Sequence, residues 1–329
     1  MKTIKYLAYS ALGLLTLAMP SCDNFLEEEP VDVKTDGLFW TSETDAENAV
    51  NMLYNGGVPY LYGGRNTGWQ PTRLMYGGLM SGLFVDERKD GDFSANLELM
   101  NVTFQTVASD VGELYREPYV AINRANVVIN RLPGMVEAGA LTQERANQLL
   151  AEAYYFRAWN YFYLVKEFGC PDGQAADGGN GGVPLVLAPY ETVDPGTIQQ
   201  PRASITAVYE QVEKDLLEAI NYLPDVTFGN NGKRVTKPAA QTLLASVYLQ
   251  WAGYPLQATE KYAQAAQMAE AVINGAAGHA LEVSDDAGEN QQSAFNKIKT
   301  SENSNEVIYA IEYDQSLNKG NPYINACMT

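Results

Sequence analysis

The sequence contains a single histidine and three cysteines among its 329 residues. The histidine, His279, has no cysteine near it in the sequence. A zinc site usually needs four nitrogen or sulfur ligands, and a Ser-His-Asp or Cys-His nucleophile needs a histidine beside it. With only one histidine and no cysteine beside it, the sequence argues against a zinc site. It also excludes a Ser-His-Asp or Cys-His site that uses any histidine other than His279. We therefore expect neither a metal among the site residues nor a cofactor, while the presence of a bound calcium ion is left open.

Phosphate-binding motifs are also absent. The cluster Gly178-Gly179-Asn180-Gly181-Gly182 lacks the Lys-Ser/Thr pair of a Walker loop, and its composition is typical of a flexible loop. Lysine and arginine number 22 against 40 aspartates and glutamates, which gives a net charge of -18. A nucleic-acid partner is not expected, since its phosphates would be repelled.

Long apolar runs are missing after the first twenty residues. The run from Tyr6 to Ala18 follows the basic start Met1–Lys5, which is the pattern of a secretory signal. It is shorter than the roughly 20 apolar residues of a membrane-spanning helix. Ser21 directly before Cys22 predicts that residues 1–21 are a lipoprotein signal peptide and that the Cys22 thiol carries lipid, palmitate included. An ordinary signal peptide with an incidental cysteine is the alternative.

Residues 22–38 are acidic and predict a surface tether, with Glu27-Glu28-Glu29 at its centre. An acidic run beside a lipidated cysteine resembles the surface-export signal of Bacteroidota lipoproteins. The expected location is therefore the outer membrane, lipid-anchored and facing the cell exterior. A merely solvated tether would look similar. The other cysteines, Cys170 and Cys327, are far apart in sequence, and whether they pair is left open.

Residues 39–329 are expected to form one mainly α-helical domain. Apolar residues at helical spacing predict helices over Thr41–Tyr54, Gly112–Leu132, Thr142–Gly169, Ser204–Leu223, Lys237–Ala252 and Thr259–Asn274. Pro133-Gly134 is expected to end the second helix. Residues 55–104 predict long loops with short helical pieces.

The third predicted helix is apolar on nearly every side and should be packed all round by other helices. Its polar residues Glu152, Arg157 and Asn160 then need buried partners. The last two helices set small residues against large ones over about 35 residues, the length of a tetratricopeptide repeat. We expect tetratricopeptide-like hairpins that form a right-handed superhelical scaffold with long irregular loops.

Several segments in order resemble the SusD/RagB family of outer-membrane nutrient-binding lipoproteins. They are Cys22-Asp23-Asn24-Phe25-Leu26, Phe39–Ala46, Tyr119–Ile129, Ala151–Ala158, Gly182–Val186, Pro201–Ser204 and Lys237–Ala240. Members of this family normally continue well beyond a segment like Asn305–Ile311. The resemblance therefore implies that a C-terminal part of the binding domain is missing from this sequence.

The resemblance implies binding rather than catalysis. Family members capture an oligosaccharide, or sometimes a peptide, at the cell surface and deliver it to a SusC-like, TonB-dependent transporter. Two alternatives stay open. A surface glycoside hydrolase would use a carboxylate pair such as Asp86/Glu87 or Asp285/Asp286. A helical-repeat scaffold would bind only protein.

The predicted ligand site is the loop from Tyr60 to Asp92, which is rich in aromatic and charged residues. Trp69 is the expected stacking platform and Tyr76 a second aromatic face. The expected polar contacts are Arg65, Arg73, Asp86 and Arg88. The alternative is that Trp69 and Tyr76 only pack the loop onto the helices. The aromatics of the third helix are expected in the core instead: Tyr154, Phe156, Trp159 and Phe162.

Overall fold

The computed structural model describes residues 39–63, 109–190, 199–283, 294, 297–298 and 304–312. The α-helices in these ranges are α1 (Glu43–Asn51), α2 (Val58–Gly63), α3 (Ser109–Glu137), α4 (Gln143–Phe168), α5 (Ile205–Tyr222), α6 (Lys237–Ala252) and α7 (Lys261–Ile273). Short 3-10 turns cover Met52–Asn55 and Gly229–Asn231. No strand occurs among the described residues, so the predicted all-α class is confirmed. None of the described helices is long and apolar enough to cross a membrane.

The helix starts follow the capping residues in the sequence. Ser42 begins α1 with a capping box, in which its Oγ accepts from the Asp45 N–H at 3.3 Å and the Asp45 carboxylate accepts from the Ser42 N–H at 3.1 Å. Thr142, Ser204 and Thr236 cap α4, α5 and α6 in the same way with their hydroxyls. Each such cap stabilises its helix by about 1 kcal/mol. The predicted starts of these helices are confirmed to within two residues.

The predicted end of helix α3 at Pro133-Gly134 is wrong, because the helix continues to Glu137. Proline inside a helix removes one hydrogen bond and costs about 3 kcal/mol. Here Leu132 and Met135 lie on one face and are 0% and 3% exposed, so burial of the last turn offsets that cost. The stop comes at Gly139, whose φ of +72° suits glycine.

The helices pack in chain order. Helix α4 contacts α3 on one side and α5 on the other, while α6 contacts α5 and α7. Helices α1 and α2 lie against α3 and α4. The central position of α4 explains its all-round apolar surface: Phe156, Tyr161 and Leu164 are each 0% exposed. The pairs α3/α4 and α6/α7, each joined by a short connection, are the predicted helical hairpins.

Candidate functional site

The predicted ligand residues Arg65, Trp69, Arg73, Tyr76, Asp86 and Arg88 lie outside the described residues, as does Cys22. Tyr60, the predicted start of the ligand loop, is described and lies within helix α2. The predicted start of the loop at Tyr60 is therefore wrong, because Tyr60 is helical. The reason is that Val58 and Leu61, one helical turn apart, are both buried on the same face of α2.

Helices α2 and α3 meet on one patch of α4. Val58 and Leu61 of α2 and Leu114 near the start of α3 form a single apolar cluster with Tyr163 of α4. Tyr60, Trp159 and Phe168 pack against this cluster as half-buried aromatics. This cluster therefore joins helices α2 and α3 to α4 at one partly buried aromatic surface.

The expectation for the aromatics of α4 is confirmed in half of the cases. Phe156 and Phe162 are buried, with 0% and 9% of their surfaces exposed. Tyr154 and Trp159 are only half-buried. The ring of Trp159 lies 5.7 Å from that of Tyr309, edge to face. Trp159 therefore belongs to the half-buried aromatic surface as well as to the packing of α4.

Arg157 has the buried partners that its position requires. It makes a two-fold contact with Asp215 of α5, with Nε and Nη2 donating at 2.8 and 2.7 Å, and Nη1 donates to Asn126 of α3 at 2.9 Å. Burial raises the pKa of the Asp215 carboxyl, against the opposing effect of Arg157. The three side chains, at most 5% exposed, join α3, α4 and α5. We assign them a structural role.

Glu152 is the second buried charge of α4 and has a comparable set of partners. Arg234 donates to its two carboxylate oxygens at 3.1 and 2.8 Å, and the Tyr54 hydroxyl donates a short hydrogen bond to it. Tyr54 in turn accepts from the Val235 N–H at 3.0 Å. Burial raises the pKa of the Glu152 carboxyl, while Arg234 lowers it. The cluster ties the turn after α1 and the segment before α6 to α4, as expected for a structural carboxylate.

An open groove, which the sequence did not predict, lies between the turn before α6 and the segment 304–307. Its volume is about 290 Å³. The lining residues are Thr227, Phe228, Gly229, Asn230, Ser304, Asn305 and Val307. The two sides are far apart in sequence and neither carries a motif, so no sequence pattern could have brought them together.

Within the described part of the chain, no three His, Cys, Asp or Glu side chains are placed to hold a metal ion. Of the two internal cysteines, Cys170 is half-buried with a free thiol, and Cys327 lies outside the described ranges.

Comparison with known proteins identifies the family. Residues 78–249 match the SusD-like family described as "Starch-binding associating with outer membrane". SusD-like protein P2 of Formosa agariphila is 26% identical over 303 residues, which are 91% of this chain and 52% of the relative. This chain thus spans about half the length of that relative.

Two solved structures show the same fold. A SusD superfamily protein from Parabacteroides distasonis is 25% identical with a TM-score of 0.56, over 70% of this chain and 44% of the other. A laminarin-binding SusD-like protein is also 25% identical, with a TM-score of 0.51, over 74% of this chain and 45% of the other. Sequence and fold agree, and the chain belongs to the SusD-like family.

Proposed function

We propose that this protein captures an oligosaccharide and catalyses no reaction of its own. The match over residues 78–249 to a family described as starch-binding carries this proposal. The similarity to a laminarin-binding protein supports a glucan as the ligand. The buried acids Glu152 and Asp215 are each paired with an arginine, which supports a structural rather than a catalytic role for these two carboxylates.

The proposed ligand site is the segment that contains Trp69 and Tyr76, with Arg65, Arg73, Asp86 and Arg88 as polar contacts. Flat aromatic rings offer an apolar face to the C–H side of a sugar, and guanidinium and carboxylate groups satisfy its hydroxyls.

We further propose that the protein works at the outer membrane beside a SusC-like, TonB-dependent transporter. The family description supports the membrane association. The sequence Ser21-Cys22 supports a lipid anchor on Cys22, and the acidic residues 22–38 support exposure to the cell exterior. A peptide ligand is the alternative cargo for the same arrangement.

Replacement of Trp69 by alanine tests the site. Calorimetric titration with laminari- and malto-oligosaccharides should show affinity reduced at least about tenfold, because a stacking surface is lost. Tyr262→Ala is the matched control, since Tyr262 is a half-exposed aromatic on α7. Equal affinities for the wild type and Trp69→Ala would contradict the assignment of Trp69. Release of new reducing ends from either oligosaccharide would contradict the proposal that the protein is not an enzyme.

A further inference from the structure

We propose that the groove between Thr227–Asn230 and Ser304–Val307 is a second glycan site, which holds one or two residues of an uncharged sugar chain. The inference rests on the proposed function and extends it to a surface outside the segment of Trp69. The groove volume of about 290 Å³ lies just below the roughly 300–1,000 Å³ of typical ligand clefts, as suits a site for a short stretch of sugar chain.

The groove offers polar groups that the protein itself does not use. The side-chain amides of Asn230 and Asn305 and the hydroxyl of Thr227 have no hydrogen-bond partner among the described residues. The buried asparagines Asn126 and Asn160, by contrast, are engaged, because their amides donate to backbone carbonyls at 2.8 and 2.7 Å. Unused amides and hydroxyls that converge on one concavity suit a ligand that presents many hydroxyls.

The charges around the groove favour a neutral sugar. None of its seven lining residues is charged. Beside the groove, Glu282 accepts from the Ser304 hydroxyl at 2.8 Å, and Glu306 accepts from the Glu282 N–H at 2.8 Å. Lys233, beside the turn, is in an ion pair with Glu312 at 2.7 Å. Two carboxylates beside an uncharged lining disfavour sulfated or uronic sugars.

Both walls of the groove are fixed by contacts that leave the free groups available. Phe228 is 2% exposed and packs edge-to-face on Tyr309, with ring centres 5.4 Å apart. The Asn231 amide donates to the Val235 carbonyl at 2.8 Å and so holds the turn. On the other wall, the ring nitrogen Nδ1 of His279 lies 2.7 Å from the Asn305 carbonyl oxygen. A concavity held in this way is formed before a ligand arrives.

The test is calorimetric titration of the full chain with laminari- and malto-oligosaccharides, with stoichiometry as the readout. We expect two sites per wild-type chain and one site in the double variant Asn230→Ala/Asn305→Ala. The double variant Asn221→Ala/Asn274→Ala is the matched control, because both of these asparagines are exposed elsewhere, and it should keep two sites. A sulfated glucan oligosaccharide should bind the wild type with a stoichiometry no greater than one.

Each result has a distinct meaning. One site in both the wild type and the groove variant overturns the second site and leaves the proposed function standing. No binding of either oligosaccharide to the wild type overturns the proposed function and with it the second site. The single variant Thr227→Val, which keeps the shape of the side chain, should weaken the second site at least threefold, and an unchanged affinity counts against it.

Discussion

Asn230 and Asn231 are neighbours in sequence, but only the Asn231 side chain is hydrogen-bonded within the described part of the protein. The Asn231 amide is used inside the protein, where it donates to the carbonyls of Arg234 and Val235 at 3.3 and 2.8 Å. The Asn230 amide lines the groove and has no partner among the described residues. The same contrast separates two regions of the molecule. Within the helical stack, Asn126, Glu152, Arg157, Asn160 and Asp215 all have protein partners, whereas Thr227, Asn230 and Asn305 of the groove are left for solvent or a ligand.

The contrast separates the polar residues that we expect to contribute to stability from those that we propose bind a ligand. A buried polar group without a partner costs about 1–3 kcal/mol, so the paired groups must stay paired. A group at an open groove carries no such cost, since water satisfies it when no ligand is present. Mutations in the two regions should therefore separate stability from affinity.

The largest effect is expected from Asp215→Ala, which removes the partner of a buried arginine. Arg157 would be left buried without its counter-charge, and the free energy of unfolding should fall by about 3–5 kcal/mol. Urea denaturation measures the change. Asp225→Ala is the control, because Asp225 is exposed and lies 3.9 Å from Lys237, and it should change stability by less than about 1 kcal/mol. Similar decreases in the free energy of unfolding for Asp215→Ala and Asp225→Ala would contradict the distinction between the paired helical stack and the exposed polar residues.

Gly57→Ala should have the next largest effect. Gly57 has a φ of +58°, and an added Cβ would lie 2.0 Å from Oδ1 of Asn160, the atom that accepts from the Val58 N–H. Displacing that buried acceptor should lower the free energy of unfolding by about 2–3 kcal/mol, backbone strain included. Gly139→Ala is the matched control, because Gly139 has a φ of +72° and open space where a Cβ would be added. Its free energy of unfolding should fall by only about 1 kcal/mol. Equal losses would show that the contact with Asn160 does not matter.

Alkaline pH should destabilise the paired region. Burial raises the pKa of Tyr209 to about 12 and also raises that of Tyr54 and Tyr161. Because the folded pKa values lie above the ordinary value of about 10, the stabilisation is complete below pH 10 and is lost as the pH rises through the folded values. Ionisation linked to each of these tyrosines should lower the free energy of unfolding by about 1 kcal/mol between pH 10 and 11.

The thermal midpoint measured from pH 8 to 11 tests this prediction. Tyr209→Phe should show a shallower decline than the wild type, since it removes one of the titrating groups and leaves the ring in place. Parallel curves for the two proteins would mean that Tyr209 does not contribute.

The smallest effect on stability is expected from the groove. Asn230→Ala/Asn305→Ala should leave the free energy of unfolding within about 0.5 kcal/mol of the wild type, as is usual for surface substitutions. Urea denaturation under the conditions used for Asp215→Ala gives the comparison directly. A loss above about 2 kcal/mol would place these asparagines with the paired groups and remove the distinction between the two regions.

Local chemistry explains how much of the fold could be predicted from the sequence. The starts of α4, α5 and α6 follow from Thr142, Ser204 and Thr236, whose capping role is encoded within four residues. The continuation of α3 through Pro133 could not be foreseen, because it depends on the burial of Met135 against other helices.

The site was predictable only in part. The apolar surface of α4 indicated that Glu152 and Arg157 would need partners, but not that these would be Arg234 and Asp215, which lie far away in the chain. The groove is formed by residues 227–230 and 304–307, which are far apart in the chain. Neither segment carries a sequence motif that would predict a binding site. The predicted contacts around Trp69 rest on composition and family resemblance, and they stay a prediction.

The most direct test of glycan capture is the stability of the wild-type protein in the presence of its proposed ligand. A ligand that binds only the folded state at a concentration 100 times its Kd raises the free energy of unfolding by about 2.7 kcal/mol. We predict a rise of this order with saturating laminari- or malto-oligosaccharide, and a smaller rise for Trp69→Ala. An unfolding curve of the wild type that neither oligosaccharide shifts would contradict the account.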